Sequence, residues 1–97
     1  MWILRSSDVD GGLTFRLVNG ASKTVGRAPV SDFILDAALV SRVHCRLTAG
    51  HEALRVEDLS STNGTFVNDQ RVENGRLENG DRLRLGRVEL TVELVNN

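Results

Sequence analysis

The sequence predicts an all-β fold, a sandwich or barrel of short strands, and three observations carry that prediction. Apolar and polar residues alternate with period two in run after run, glycine-containing pairs separate the runs, and no window has helical periodicity. Successive side chains of a strand point to opposite faces, so an alternating run has one buried face and one wet face.

The runs, in chain order, are short. "LTFRLV" sets Leu13, Phe15 and Leu17 on one face, "HCRLT" is an alternating run that buries Cys45, and "ALRVED" sets Leu54 and Val56 together. "DRLRLG" does the same with Leu83 and Leu85. "GRVELTVELV" places Val88, Leu90, Val92 and Leu94 opposite Glu89, Thr91 and Glu93. Turns are predicted at Gly11-Gly12, Asn19-Gly20, Ala49-Gly50, Asn63-Gly64, Asn74-Gly75 and Asn79-Gly80. Asn63 and Gly64 both tolerate positive φ between apolar runs, which predicts a hairpin at that point. The single proline, Pro29, stiffens a loop.

Ninety-seven residues make one domain, expected to span 1–97. The formal net charge is -1, with no overall basic excess for a nucleic-acid backbone. Of the four aromatic residues, Trp2, Phe15, Phe33 and Phe66, Phe15 and Phe66 fit a core, which leaves few stacking platforms for single strands. One cysteine permits no internal disulfide and no thiolate metal site, and no metal or cofactor is expected. No apolar stretch is long enough to span a bilayer, and "MWILRSSD" lacks a signal-peptide core, so no membrane partner and an intracellular place, cytoplasmic or nuclear, are expected. Lys23 is the only lysine; codon bias in a GC-rich genome explains the arginine excess most simply, and arginine also suits bidentate recognition of anions.

Three polar clusters interrupt the strands: Gly26-Arg27, Ser41-Arg42-Val43-His44, and "DLSSTNGTFVN" from Asp58 to Asn68. A turn explains Asn63 and Gly64 but not Ser60, Ser61, Thr62 and Thr65. At strand ends the clusters would gather at one edge of a sandwich, where they offer a fixed cation, hydroxyls and loop amides. That set suits a phosphate dianion, which takes charge-assisted hydrogen bonds from an arginine fork and from hydroxyl or backbone donors. A hydrolytic triad could be drafted from Ser41, His44 and Asp58 or Asp81, but no nucleophile elbow accompanies it and no enzyme is expected. His51, in "AGHEA", reads as a solvated loop residue.

"VGR", "SRVH", "DLSSTNGTFVN" and "NGDRLRLG" resemble, in order, the motif series of forkhead-associated (FHA) domains, with the likeness running from about Val25 to Gly86. The resemblance implies a β-sandwich of two mainly antiparallel sheets with binding loops at one edge, and a phosphothreonine-containing partner protein. It implies that Arg27 and Ser41 contact the phosphate, and that Arg42 adds a donor to phosphate or peptide backbone. Thr62 would contact the phosphate or adjoining main chain, and Asn63 would grip the peptide backbone. Gly26, His44 and Gly64 become structural, with His44 bracing the Ser41 loop. Ser60, Ser61 and Thr65 are left to satisfy the loop's own amides, and Asp58 to partner backbone donors or an arginine. A small pocket for the threonine methyl would select threonine over serine, and variable loops at residues 37–40 and 68–71 would read the flanking sequence, with Leu39 and Val40 hinting at an apolar contact.

The implied function is a phosphorylation-dependent adaptor in signalling or DNA-damage response, working within a larger protein or complex. The alternative is a degenerate domain that makes phosphate-independent contacts. "MWIL", "FRLV" and "VGR" are further similar to the N-terminal domain of nibrin-like DNA-repair proteins, which implies a phosphorylated repair protein as the partner.

Overall fold

Strands form where the alternating runs lie, and short polar segments add more. The computed structural model describes residues 1–96, in which eleven strands and no helix occur. They are β1 (Trp2–Ser6), β2 (Leu13–Leu17), β3 (Ser22–Gly26), β4 (Phe33–Ile34), β5 (Cys45–Ala49) and β6 (Leu54–Asp58). β7 (Thr65–Val67), β8 (Gln70–Val72), β9 (Asn74–Leu77), β10 (Arg82–Leu85) and β11 (Val88–Leu94) follow. A six-stranded sheet has the order β2-β1-β11-β10-β7-β8, and a five-stranded sheet the order β4-β3-β5-β6-β9. All pairings are antiparallel except β3 with β4. This is the expected sandwich of two mainly antiparallel sheets.

The inward positions of both sheets make one core. Trp2, Leu4, Leu17, Leu47, Leu54, Leu77, Leu83, Leu85 and Leu90 are all fully buried in it. Trp2 Nε1 donates to the Gly50 carbonyl at 2.8 Å, so the indole gives up no hydrogen bond on burial. Phe15 packs inward and stacks on Phe33 with ring centroids 4.5 Å apart. Phe66 does not join them. Its neighbours Thr65 and Val67 take the inward positions of β7, so the strand's period of two turns Phe66 to the outer face.

The turn pairs divide into hairpins and crossings between sheets. Gly11-Gly12 closes the β1–β2 hairpin and Gly50 begins the β5–β6 hairpin. Asn19-Gly20 and Asn79-Gly80 carry the chain from one sheet to the other. Asn63-Gly64 also precedes a crossing: β6 lies in the five-stranded sheet and β7 in the six-stranded one, so the expected hairpin is absent. Gly64 has φ +92°, whereas the second left-handed residue of that loop is Ser60 at +57°, not Asn63. The hairpin of this region comes one strand later, where Asn68 and Asp69, at φ +47° and +70°, join β7 to β8 in the manner of a type I′ turn. Asn74-Gly75 is no turn; it opens β9, where Gly75 pairs with Val56. A Cβ on Gly75 would press on the methyls of Val56, Val67 and Val72 at 3.1–3.2 Å. Glycine is kept there by close packing.

Candidate functional site

The β3–β4, β4–β5 and β6–β7 loops meet at one edge of the sandwich. Their first junction is built on Gly26, the last residue of β3. A Cβ at Gly26 would overlap the Arg42 carbonyl oxygen, so glycine is required by the close pass of the β4–β5 loop rather than by φ. Backbone bonds fasten the pass, Arg27 N–H to Ser41 O at 2.9 Å and Ala28 N–H to Arg42 O at 3.0 Å. Ser31 Oγ donates to the same Arg42 carbonyl at 2.8 Å.

His44 makes the second junction. The ring is fully buried, and the Ser41 N–H donates to its Nδ1 at 3.0 Å. A ring nitrogen that accepts carries no hydrogen, so in the neutral ring Nε2 carries it and donates to the Gly64 carbonyl at 2.8 Å. One imidazole thereby spans the β4–β5 and β6–β7 loops. Both nitrogens are committed to backbone groups. Neither is a base for Ser41 Oγ, which removes the pairing that nucleophilic catalysis by this serine would need.

The β6–β7 loop is organised from within by Asp58. Its carboxylate accepts from Ser61 N–H at 3.1 Å, Ser61 Oγ at 2.5 Å and Thr65 Oγ1 at 2.7 Å, and Ser61 Oγ in turn accepts from Gly64 N–H at 3.0 Å. Ser61 thus satisfies a loop amide as expected, whereas the Thr65 hydroxyl serves the Asp58 carboxylate instead of an amide, and Asp58 partners amide and hydroxyl donors rather than an arginine. Ser60 departs from expectation: it is exposed, in the left-handed region, and its side chain makes no hydrogen bond among the described residues. Burial pushes the Asp58 carboxyl up, but the Ser61 and Thr65 hydroxyls and the Ser61 amide outweigh it and hold the group below its ordinary value.

On this frame Arg27, Ser41, Thr62 and Asn63 come together. Arg27 is exposed; its Nε donates to Val40 O at 3.1 Å, which fixes the stem and leaves both terminal nitrogens unengaged among the described residues. Ser41 Oγ accepts from Thr62 N–H at 3.1 Å and keeps its hydroxyl hydrogen to donate. Asn63 Nδ2 donates to Leu39 O at 3.0 Å, so this residue also pins the β4–β5 loop, with its Oδ1 and second N–H remaining. Arg42 is exposed beside them, and its guanidinium has no partner among the described residues. Leu39 stands exposed at φ +71°, a strained conformation for leucine that Asn63 and the close approach of Gly86 hold in place. The sequence reading missed the part played by Gly86. Its signal was a glycine directly after an alternating run.

Residues 23–86 match the family model described as the FHA domain. The chain belongs to the FHA domain family. FHA domains bind phosphothreonine peptides, and the cation, hydroxyl and amide set at this edge has the chemistry for that anion. The glycogen accumulation regulator GarA of Mycobacterium tuberculosis is 38% identical over 74 residues, 76% of this chain and 46% of that protein. The chain thus spans about half the length of that curated relative. An FHA domain solved in an analysis of phosphothreonine-dependent FHA interactions superposes with TM-score 0.87 at 34% identity, covering 99% of this chain and 98% of the other. The FHA domain of FhaA, solved in complex with the intracellular domain of another protein, gives TM-score 0.85 at 35% identity, covering 96% of this chain and all of that one. The likeness to nibrin-like repair proteins finds no support in these matches.

Proposed function

We propose that this domain is a phosphorylation-dependent adaptor that reads phosphothreonine in a partner protein through Arg27, Ser41, Arg42, Thr62 and Asn63. The observation that carries the reading is the pair of bonds through His44, which set the Ser41 and Gly64 loops at a fixed separation. The phosphate lies against the terminal nitrogens of Arg27 and the Ser41 hydroxyl, with Arg42 and Thr62 as further donors. The remaining amide groups of Asn63 hold the peptide backbone. No step of chemistry follows binding, because the buried histidine has no free nitrogen.

The whole stretch 1–97 acts as one such module, inside the cell and within a larger protein or complex. GarA, a regulator by name, and the FhaA complex with an intracellular domain favour signalling as the setting over DNA repair.

Fluorescence polarisation with degenerate peptide pools tests the reading. The wild type is expected to bind the phosphothreonine pool and to ignore the phosphoserine and unphosphorylated pools. Arg27→Ala, which strips one partner from a desolvated charge pair, should lose roughly 2–5 kcal/mol of binding while melting as the wild type does. Equal binding to all three pools, or none, would return the domain to phosphate-independent contacts.

A further inference from the structure

Beside the loop edge, on the outer face of the six-stranded sheet, one row of side chains has no role in the site described above. The register of β10, β7 and β8 sets Arg84, Phe66 and Arg71 side by side across three strands. Arg84 lies over the Phe66 ring with its guanidinium carbon 4.0 Å from the centroid. Arg71 reaches the other way, across Gly64. A Cβ on Gly64 would stand 2.8 Å from Arg71 Nε and 3.0 Å from its Cζ, and 3.2 Å from the Phe66 ring. The bare Cα of Gly64, next in sequence to Asn63, is therefore what lets a guanidinium lie flush with the loop.

The charges on this row do not cancel. Neither Arg71 nor Arg84 has a carboxylate partner among the described residues, whereas Arg82, their neighbour on β10, is paired with Asp69 and Glu89. Arg84 donates instead to the Gly86 carbonyl at 3.2 Å, and Glu89, the acid opposite it on β11, is turned to Arg82 at 3.6 Å. Two guanidinium groups thus flank one aromatic ring with no counter-charge. Phe66 explains the arrangement of Arg84, since a cation over a ring face is stabilised by the ring quadrupole. Arg71 is itself exposed, and its guanidinium donates no hydrogen bond among the described residues.

We infer that Arg71, backed by Phe66 and Arg84, is an anion subsite that selects partners carrying an acidic side chain close to the phosphothreonine. The inference rests on the phosphothreonine reading and deepens it. A peptide held at Thr62 and Asn63 passes next to Gly64, and an anionic side chain of that peptide meets the Arg71 fork. A carboxylate and a second phosphoryl group offer the same paired oxygens, and both match the fork. Packing of the Arg71 Nε and Cζ against Gly64 already restricts the side chain, so less side-chain freedom is lost when the ion pair forms.

The test uses three phosphothreonine peptide pools that differ only in their flanking residues: neutral, enriched in Asp and Glu, or carrying one phosphoserine. They are titrated against wild type, Arg71→Met and Arg71→Lys. The wild type is expected to prefer both anionic pools to the neutral one by about fivefold, the upper range for an exposed ion pair, with the preference shrinking as salt is raised. Arg71→Met keeps an unbranched apolar cover over Gly64 and Phe66; it should abolish the preference and leave neutral-pool affinity and melting unchanged. Arg71→Lys, a point charge without the fork, should retain part of it. A preference for the phosphoserine pool alone would narrow the ligand to a second phosphate, and one for the Asp/Glu pool alone to a carboxylate. Equal wild-type affinity for all three pools would overturn the subsite and leave the phosphothreonine reading standing. No binding to any pool would overturn both.

Discussion

His44 is the residue on which the site's geometry turns. It is a polar side chain buried completely, and it is tolerated there because both nitrogens are bonded, one accepting from Ser41 and one donating to Gly64. Replacement by alanine leaves a backbone N–H and a carbonyl without partners and opens a void, so His44→Ala should cost on the order of 2–4 kcal/mol. For a domain of this size that lowers Tm by roughly 10–20 °C. Phosphopeptide affinity should fall with it, because the two loops lose their common strut. Calorimetric melting and titration of the same variant decide the matter: unchanged melting with lost binding would make His44 a ligand contact, contrary to its burial. Gly26 belongs to the same class of residue, since what it supplies is the absence of a side chain where Arg42 passes.

At the scale of elements, the β6–β7 loop is a unit folded around one carboxylate, and its stability should report the charge on Asp58. The folded-state value of this group is depressed, so its contribution is present above the unfolded value of about 4 and is lost as pH falls through the lower folded value. Asp58→Asn should be less stable than the wild type at neutral pH, because the Ser61 and Thr65 donors lose part of their acceptor. The gap between the two proteins should then narrow below about pH 4. Denaturant midpoints collected from pH 7 down to the acid limit would show this. A constant gap would mean that Asp58 is not titrating in that window.

The same loop marks where sequence reasoning reaches and where it stops. Alternation identified the inward faces of β2, β6, β10 and β11 because burial of one strand face is a local fact. Pairing is not local. Asn63-Gly64 carries the composition of a hairpin, yet nothing in it says that β6 and β7 belong to different sheets. Asn68-Asp69 makes the true hairpin without a glycine. Phe66 looked like core by composition, while its position between Thr65 and Val67 sends it outward, where two arginines meet it. The candidate site residues were named from a motif series, and the fold brings Arg27, Ser41, Thr62 and Asn63 to one edge. The tasks of Asp58 and Gly86 required the folded geometry, because each acts by proximity across the chain.

Over the whole molecule, two buried probes sit in opposite sheets and allow the two layers to be compared. Trp2 lies in β1 of the six-stranded sheet and Cys45 in β5 of the five-stranded sheet, both fully buried in the shared core. The Cys45 thiol is pushed well above the ordinary thiol range, first by burial and then by the negative charge of Asp58. Only the thiolate attacks alkylating or disulfide reagents, so the folded protein should resist labelling for as long as Cys45 stays inside. Because each sheet buries its face only against the other, separating them exposes both cores at once, and a chain of this length is expected to unfold in one step. The denaturant midpoint from Cys45 labelling should therefore coincide with the midpoint from Trp2 fluorescence. The free energy from labelling under conditions of rapid reclosing should equal the global value. Labelling that precedes the fluorescence change would show the five-stranded sheet opening first, and would place the Ser41 and His44 loop, which leads directly into Cys45, on the weaker side of the molecule.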